Sequence, residues 1–343
     1  MSDLGLLTDV AGGSGLVQPS QDDPRMSMSL PVPPSDPFEF YKDLGCPFTD
    51  SKTDEPIKVW TPYQFRTADN HARHVKFLLL KSQKIGISSL GIVLTILQAL
   101  TTCQGYDLII LAQSNDKAIE HARDLKKFLA NSRYSDYLIT KQWQNPGPIK
   151  EEVSSTFHIY LQNRDLTSVS NTHIFVLPPS TGKIASIKRV KYAWCSDITV
   201  VDTIPERQRS YFMALISRLI LTEGKVFIEC PTVGRLGPIY ELDQNFQDNV
   251  NAGVLDKETG AVLKPDVLDP ATARNMFFVD RIRVQEAIDC GMMDKSAVEA
   301  LKIEHGPMFP AFFEADWYAG ESAWFGHDQL TEGTERAARL AED

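Results

Sequence analysis

Between residues 75 and 102 the sequence VKFLLLKSQKIGISSLGIVLTILQALTT sets two lysines, a glycine and a pair of serines between an apolar run and an amphipathic one. These residue types suit phosphate chemistry. Backbone N–H groups at a helix start and a lysine hold phosphate oxygens, and a hydroxyl can ligate Mg²⁺. In the regular Walker A loop, G-x-x-x-x-G-K-[ST], the lysine follows the second glycine. Aligning on Gly86 puts Ile87 in the lysine's place and Ser88 at the metal-binding hydroxyl; Lys81 takes the first position, normally glycine, and Lys84 lies between. An ammonium on a four-carbon stem is a mobile charge, so a lysine can reach the β- and γ-phosphates from the other side of the loop. A strand-to-helix turn with ordinary lysines and a serine cap is the plainer reading of the same residues.

Three further segments carry candidate chemistry. In KVWTPYQF, Gln64 has an amide that both donates and accepts and so could read the N6 and N7 edge of adenine, although a glutamine in a surface turn has the same sequence. VKYAWCSD ends an apolar strand on Asp197, where phosphate-loop ATPases place a carboxylate that holds Mg²⁺ through water. A glutamate that activates the attacking water commonly follows; here the next residue is Ile198, and Asp202 is a second carboxylate that reads equally as a turn aspartate. KVFIECPTVGRLGPIYEL runs from a strand into a small polar turn, Cys230, Pro231, Thr232 and Gly234, a place for a γ-phosphate sensor or coupling element.

The elements that must position these residues follow from periodicity. Apolar strands at 75–80, 106–113, 156–161, 173–178, 191–196 and 225–230 alternate with helices at about 88–102, 115–131 and 205–222. This predicts an α/β fold: a mainly parallel sheet flanked by helices, with functional residues at the carboxyl ends of strands. Residues 1–37, rich in Gly, Ser, Pro and Asp, are expected to be a disordered arm; residues 38–242 form the core. Residues 243–343 read as a loop-rich C-terminal subdomain with helices near 280–289 and 294–305. The 343 residues, 43% of them apolar, suffice for one large core or two modest ones. Five cysteines without a C-x-x-C pair give neither a disulfide framework nor a zinc ribbon, and the seven histidines fall in no metal-ligand spacing. No apolar run reaches the roughly 18–20 residues that span a bilayer. The net charge of −10 argues against wrapping nucleic acid over the whole surface; the basic cluster Lys183, Lys188, Arg189 and Lys191 could form a local face that grips phosphates, but a solvated loop is the plainer reading.

Taken in order, TPYQ, KSQKIGISS, the strand ending at Asp197 and the C-P-T-V-G turn resemble the ATPase domain of large terminase subunits, the DNA-packaging motors of tailed phages and related viruses. The resemblance covers roughly residues 38–330 and includes the closing stretch IEHGPMFPAFFEADWYAGESAWFGHDQL. It implies a P-loop fold of the ASCE, RecA-like class, with ATP and Mg²⁺ as cofactors. It implies that Gln64 contacts adenine and that Lys81, with Lys84, meets the phosphates on a loop of Ser82, Gly86, Ile87, Ser88 and Ser89. Ser88 and Asp197 would hold Mg²⁺, and Cys230, Pro231 and Thr232 would couple hydrolysis to movement. Double-stranded DNA, a portal protein on a procapsid, a small terminase subunit or separate nuclease, and a homo-oligomeric ring are the implied partners, in the host cytoplasm and transiently at the procapsid. Arg207, Arg209 and Arg218 are arginine-finger candidates for such a ring.

Two departures stand out. Ile198 can neither orient nor deprotonate water, which leaves Asp202 and Glu206 as the nearest substitutes or else a nucleotide-binding or docking protein with weak or lost hydrolysis. Only about 100 residues follow the coupling turn, and Glu314, Asp316 and Asp328 lie too near the end to anchor a nuclease sheet, so nuclease activity is not expected. A superfamily 2 helicase shares the upstream glutamine but requires a second motor domain and a D-E-x-H-like box. Trp317, Tyr318 and Trp324 read either as a docking surface or as packing of the terminal subdomain.

Overall fold

Lys76–Lys81 (β1), Asp107–Leu111 (β2), Phe157–Leu161 (β3), Thr172–Leu177 (β4), Val190–Ser196 (β5), Lys225–Cys230 (β6) and Phe278–Ile282 (β7) build one sheet in the order β3-β4-β2-β5-β6-β1-β7. Every neighbouring pair is parallel except β3–β4 at one edge. The computed structural model describes residues 30–50, 53–138, 157–163, 171–201, 205–235 and 237–317. Its helices are Pro37–Asp43 (α1), Pro62–Arg73 (α2), Ile87–Leu100 (α3), Asn115–Ala130 (α4), Thr181–Ser186 (α5), Ile198–Val201 (α6), Pro205–Ile220 (α7), Pro238–Asn251 (α8), Pro270–Arg274 (α9), Val284–Asp289 (α10) and Lys295–His305 (α11).

The parallel register positions the site. Leu80 pairs with Cys230, Lys81 with Ile282 and Ser196 with Glu229. The ends of β1, β5 and β6 therefore lie on one edge within a residue of each other, as the alternation of elements requires. Phe77 to Leu80 of β1 are fully buried, and burying each such side chain is worth about 1.5–3 kcal/mol. α3 was expected to be amphipathic, yet Leu90 to Leu97 are all buried, because it lies inside between the sheet, α1, α2 and α4.

Several expectations are displaced. Most of the N-terminal arm, residues 1–29, lies outside the described residues, but its last segment is held: the Tyr137 hydroxyl donates to the Pro31 carbonyl at 2.8 Å. The helix expected near 280–289 begins with β7, whose Asp280 and Arg281 gave it a polar look. Both are paired across the fold, Asp280 with Arg66 at 3.0 Å and Arg281 with the buried Asp243. The division at 242/243 falls inside α8, and Phe246, Val279 and Ile282 belong to the main core. The small C-terminal unit begins later, where Val284, Val298, Phe309 and Phe313 form a separate apolar cluster. Arg189 of the expected solvated loop stacks over Tyr106, 5.1 Å from the ring centre, and Lys191 donates to the Thr222 carbonyl.

Close packing makes two predictions. A Cβ on Gly91 of α3 would stand 2.4 Å from ring carbons of the buried Trp194. Helix propensity favours alanine there by about 1 kcal/mol, but overpacking costs about 1–3 kcal/mol. Gly91→Ala is expected to lower the urea midpoint, and adding Trp194→Phe to restore part of it; an unchanged or raised midpoint would refute the packing. Burial pushes the His121 imidazole down to about 4, and burial, then the Lys225 charge, holds His71 well below its ordinary value. The unfolded chain protonates both near pH 6.5, so stability is fully present above that pH and falls as pH drops from about 6.5 toward 4. Denaturation midpoints measured from pH 7.5 to 5 should fall in this way, and His121→Leu should flatten the slope.

Candidate functional site

β1 ends at Lys81, and the chain crosses to α3 through Ser82–Gly86. Ser82 donates its N–H to the Ile282 carbonyl and Gln83 to that of Phe312, both at 2.8 Å. From Lys84 to Ser89 no backbone N–H is given to a protein acceptor among the described residues; the next bond is Leu90 to the Gly86 carbonyl. A run of unpaired N–H groups at the start of a 14-residue helix is an anion cradle. Gly86, with φ 76°, is the N-cap, so Ser88 is not the cap but sits in the first turn. Glycine is required there twice over: the backbone is left-handed, and a Cβ would lie 3.1 Å from the Gln64 amide nitrogen. Ile87 is buried and can offer only its backbone; Lys84, left-handed at φ 60°, is exposed.

Charge converges behind this loop. Lys81 Nζ lies 3.0 Å from Asp197 Oδ1 and 2.9 Å from Glu229 Oε2, with its side chain only 5% exposed. Glu229 is fully buried; its Oε1 accepts from Ser88 Oγ at 3.1 Å and from Ser196 Oγ at 2.7 Å. Its Oε2 accepts no hydrogen bond, the approach of Lys81 being close but not aligned as one. Asp197 follows β5 in a left-handed conformation, φ 52°, and donates its N–H to the Glu229 carbonyl at 2.8 Å. These hard oxygens suit Mg²⁺, which takes one or two carboxylates beside water and phosphate oxygens. Ser88 and Asp197 would hold the ion, with Glu229 beside them. Among the described residues no three His, Cys, Asp or Glu gather into an all-protein metal cage.

The remaining candidates are mostly engaged in bonds of their own. Gln64 lies beside the loop, but its carbonyl closes a capping box on the Thr61 N–H at 2.9 Å and its amide nitrogen reaches the Gly86 carbonyl at 3.4 Å. The cavity it shares with Ser89, Trp60 and Leu90 holds about 30 Å³, room for water rather than a purine. Cys230 is fully buried, its thiol pushed up to about 12 chiefly by burial. The Pro231 carbonyl accepts from Thr199 Oγ1 at 2.8 Å, and Thr232 bonds the Ala311 and Asp316 carbonyls. Asp202 lies outside the described residues, as do Tyr318, Trp324 and Asp328. Glu206 is exposed in the first turn of α7. Arg209 is engaged with Glu241 at 2.5 Å, and Arg218 donates to the Ala185 carbonyl. Trp317 packs, donating to Asp243 at 2.6 Å.

The ATPase domain of the large terminase of Thermus phage P74-26 superposes with a TM-score of 0.54 at 12% identity, over 84% of this chain and 100% of that domain. An arginine-to-alanine variant of the same domain gives 0.50 at 13%, over 83% and 100%. The large terminase of a thermophilic bacteriophage in complex with ADP gives 0.46 at 10%, over 76% and 54%. No protein-family model and no curated protein matches the sequence. This chain has the fold of a large-terminase ATPase domain. Within that terminase-like fold, Glu229 is the site residue that sequence reasoning missed. A charged residue inside the apolar strand KVFIEC was the available signal, since a strand buried on both faces tolerates a carboxylate only with partners.

The charges make this part of the fold sensitive. Lys81→Met leaves Glu229 buried without its cation, and removing one partner of a buried pair costs about 3–5 kcal/mol. Urea denaturation at pH 7 should show a loss of that order, and Lys81→Met with Glu229→Leu should recover most of it. An unchanged single variant would mean that the lysine does not hold the cluster together.

Proposed function

We propose that this chain is an ATPase of the kind that drives double-stranded DNA into a viral procapsid, the motor part of a large terminase. The observation that carries the reading is the convergence of Lys81, Ser88 and Asp197 at the carboxyl edge of a parallel sheet, directly under a loop of unpaired N–H groups. The loop N–H groups and Lys81 would bind the β- and γ-phosphates, with exposed Lys84 closing over them. Bound Mg²⁺ would neutralise charge on the phosphates. Gln64 would meet adenine only by releasing its present bonds, with the base lying across the mouth of the small cavity beside it. Thr232, tied to residues 311 and 316, would transmit a change at the γ-phosphate into the C-terminal segment.

By family analogy the working form is a ring of copies on a portal protein, receiving DNA with a small terminase subunit or a nuclease, in the host cytoplasm and at the procapsid. Among the described residues no helix is long and apolar enough to cross a membrane. The second reading, a nucleotide-binding docking protein without turnover, draws on Ile198, which is buried at the position of the usual water-activating glutamate.

Mg²⁺-dependent ATP hydrolysis, with and without double-stranded DNA, separates the two when binding is followed in the same samples. Wild type should turn over and be stimulated by DNA or portal, and Lys81→Ala and Asp197→Ala should each lose about 100-fold or more. Tight binding without turnover would favour the docking protein, and no binding would end the nucleotide assignment.

A further inference from the structure

Ile198 cannot orient a water molecule, so a hydrolase built on this site needs a carboxylate from elsewhere. Glu206 is exposed on α7. Glu229 is inside, on β6 between the strand that ends in Lys81 and the strand that Asp197 follows. Provided the chain hydrolyses ATP as proposed above, we propose that Glu229 is the catalytic residue that orients the attacking water.

Its two oxygens are not equivalent. Oε1 is fixed by two hydroxyl donors, Ser88 and Ser196, at 3.1 and 2.7 Å. Oε2 accepts no hydrogen bond and faces the Lys81 ammonium at 2.9 Å. When Lys81 turns to phosphate oxygens, Oε2 becomes a buried acceptor with nothing bound to it, beside the phosphates and held in place through Oε1. The serine hydroxyls keep their bonds to Oε1 in both situations, so the carboxylate need not move. A water that donates to Oε2 presents its lone pair toward the γ-phosphorus. The water oxygen forms the new P–O bond, and the bond to the β–γ bridging oxygen breaks with its electron pair on ADP. The water's protons leave on inorganic phosphate; Glu229 accepts a hydrogen bond and keeps no proton.

The asymmetry defines the test. In Glu229→Gln the amide oxygen must take the Oε1 place, because two hydroxyls donate there, so the NH₂ falls at Oε2 and replaces the acceptor with a donor. Shape and serine bonds survive, and Lys81 loses a competing anion. ATP binding, followed by a fluorescent analogue, should be equal or tighter than in wild type, while kcat falls about 10²–10⁴-fold. Glu229→Asp keeps the charge but withdraws it by one methylene; it should bind normally and lose about 10²-fold in kcat, the cost of roughly 1 Å of misplacement. Thermal melts identify any variant that fails to fold, and if Glu229→Gln does, the aspartate variant decides.

Wild-type turnover in both variants would overturn the assignment and leave Glu229 as a resting counter-ion of Lys81. Loss of turnover in Glu206→Gln with Glu229→Gln active would overturn it in favour of another carboxylate. A wild type that binds no ATP would sink the ATPase reading and this role with it; a wild type that hydrolyses ATP beside a fully active Glu229→Gln would sink this role alone.

Discussion

One lysine shared by two carboxylates is the constraint around which the sheet edge is arranged. Two anions a few ångströms apart inside a protein are costly unless a cation or hydrogen-bond donors stand between them. Lys81 supplies the cation, and Ser88 and Ser196 supply the donors. Each of these groups comes from a different place in the chain: the end of β1, the first turn of α3, and the ends of β5 and β6. The cluster therefore forms only when the central strands are in register, and it sits where a parallel sheet opens its carboxyl edge to a ligand. A buried ion pair of this kind is weak evidence for stability as such, because apolar packing of the same shape often does as well.

The apolar part of the fold serves this edge. α3 must begin immediately behind the loop so that its first N–H groups face outward, and it must lie flat on the sheet. Gly91 allows that, because any side chain there would strike Trp194 on β5. The Thr95 hydroxyl, buried in the same helix, returns its bond to the Gly91 carbonyl at 2.8 Å and so adds no unsatisfied group. The helix that carries Ser88 is thus fixed against the strand that carries Ser196, which sets the distance between the two hydroxyls that hold Glu229.

The sheet, its parallel sense and the loop were legible in the sequence, because apolar runs separated by helical periods leave few alternatives and because Gly86 marks the turn. Lys81 and Asp197 were legible as polar residues closing apolar strands. Glu229 was legible only as a charge inside an apolar strand: its partners depend on the pairing of Ser196 with Glu229 and of Leu79 with Glu229, and register between strands remote in sequence is invisible along one chain. The edge strand β7 was hidden similarly, since Asp280 and Arg281 look solvent-facing until Arg66 and Asp243 are brought to them. Gln64 lies beside the loop, but the spacing T-x-x-Q from Thr61 to Gln64 is itself the local signal of the capping box that occupies its amide oxygen.

The site is also tied mechanically to the C-terminal segment. Gln83 in the loop donates to the Phe312 carbonyl, and Thr232 after β6 bonds the Ala311 and Asp316 carbonyls. One short segment, which includes the π-helical turn Pro310–Glu314, therefore bridges the loop and the turn on either side of the charge cluster. Arg281 adds a bond to the Ala315 carbonyl and Arg283 one to that of Glu314, so the segment is held at the sheet edge by backbone acceptors rather than by apolar burial alone. A change of a few tenths of an ångström between loop and turn cannot be absorbed by compressing such a segment, because close-packed interiors deform by switching arrangement rather than by yielding. Under the role proposed for Lys81, a movement of its ammonium away from Glu229 would reach residues 311–316, more than 200 residues further along the chain, through these bonds.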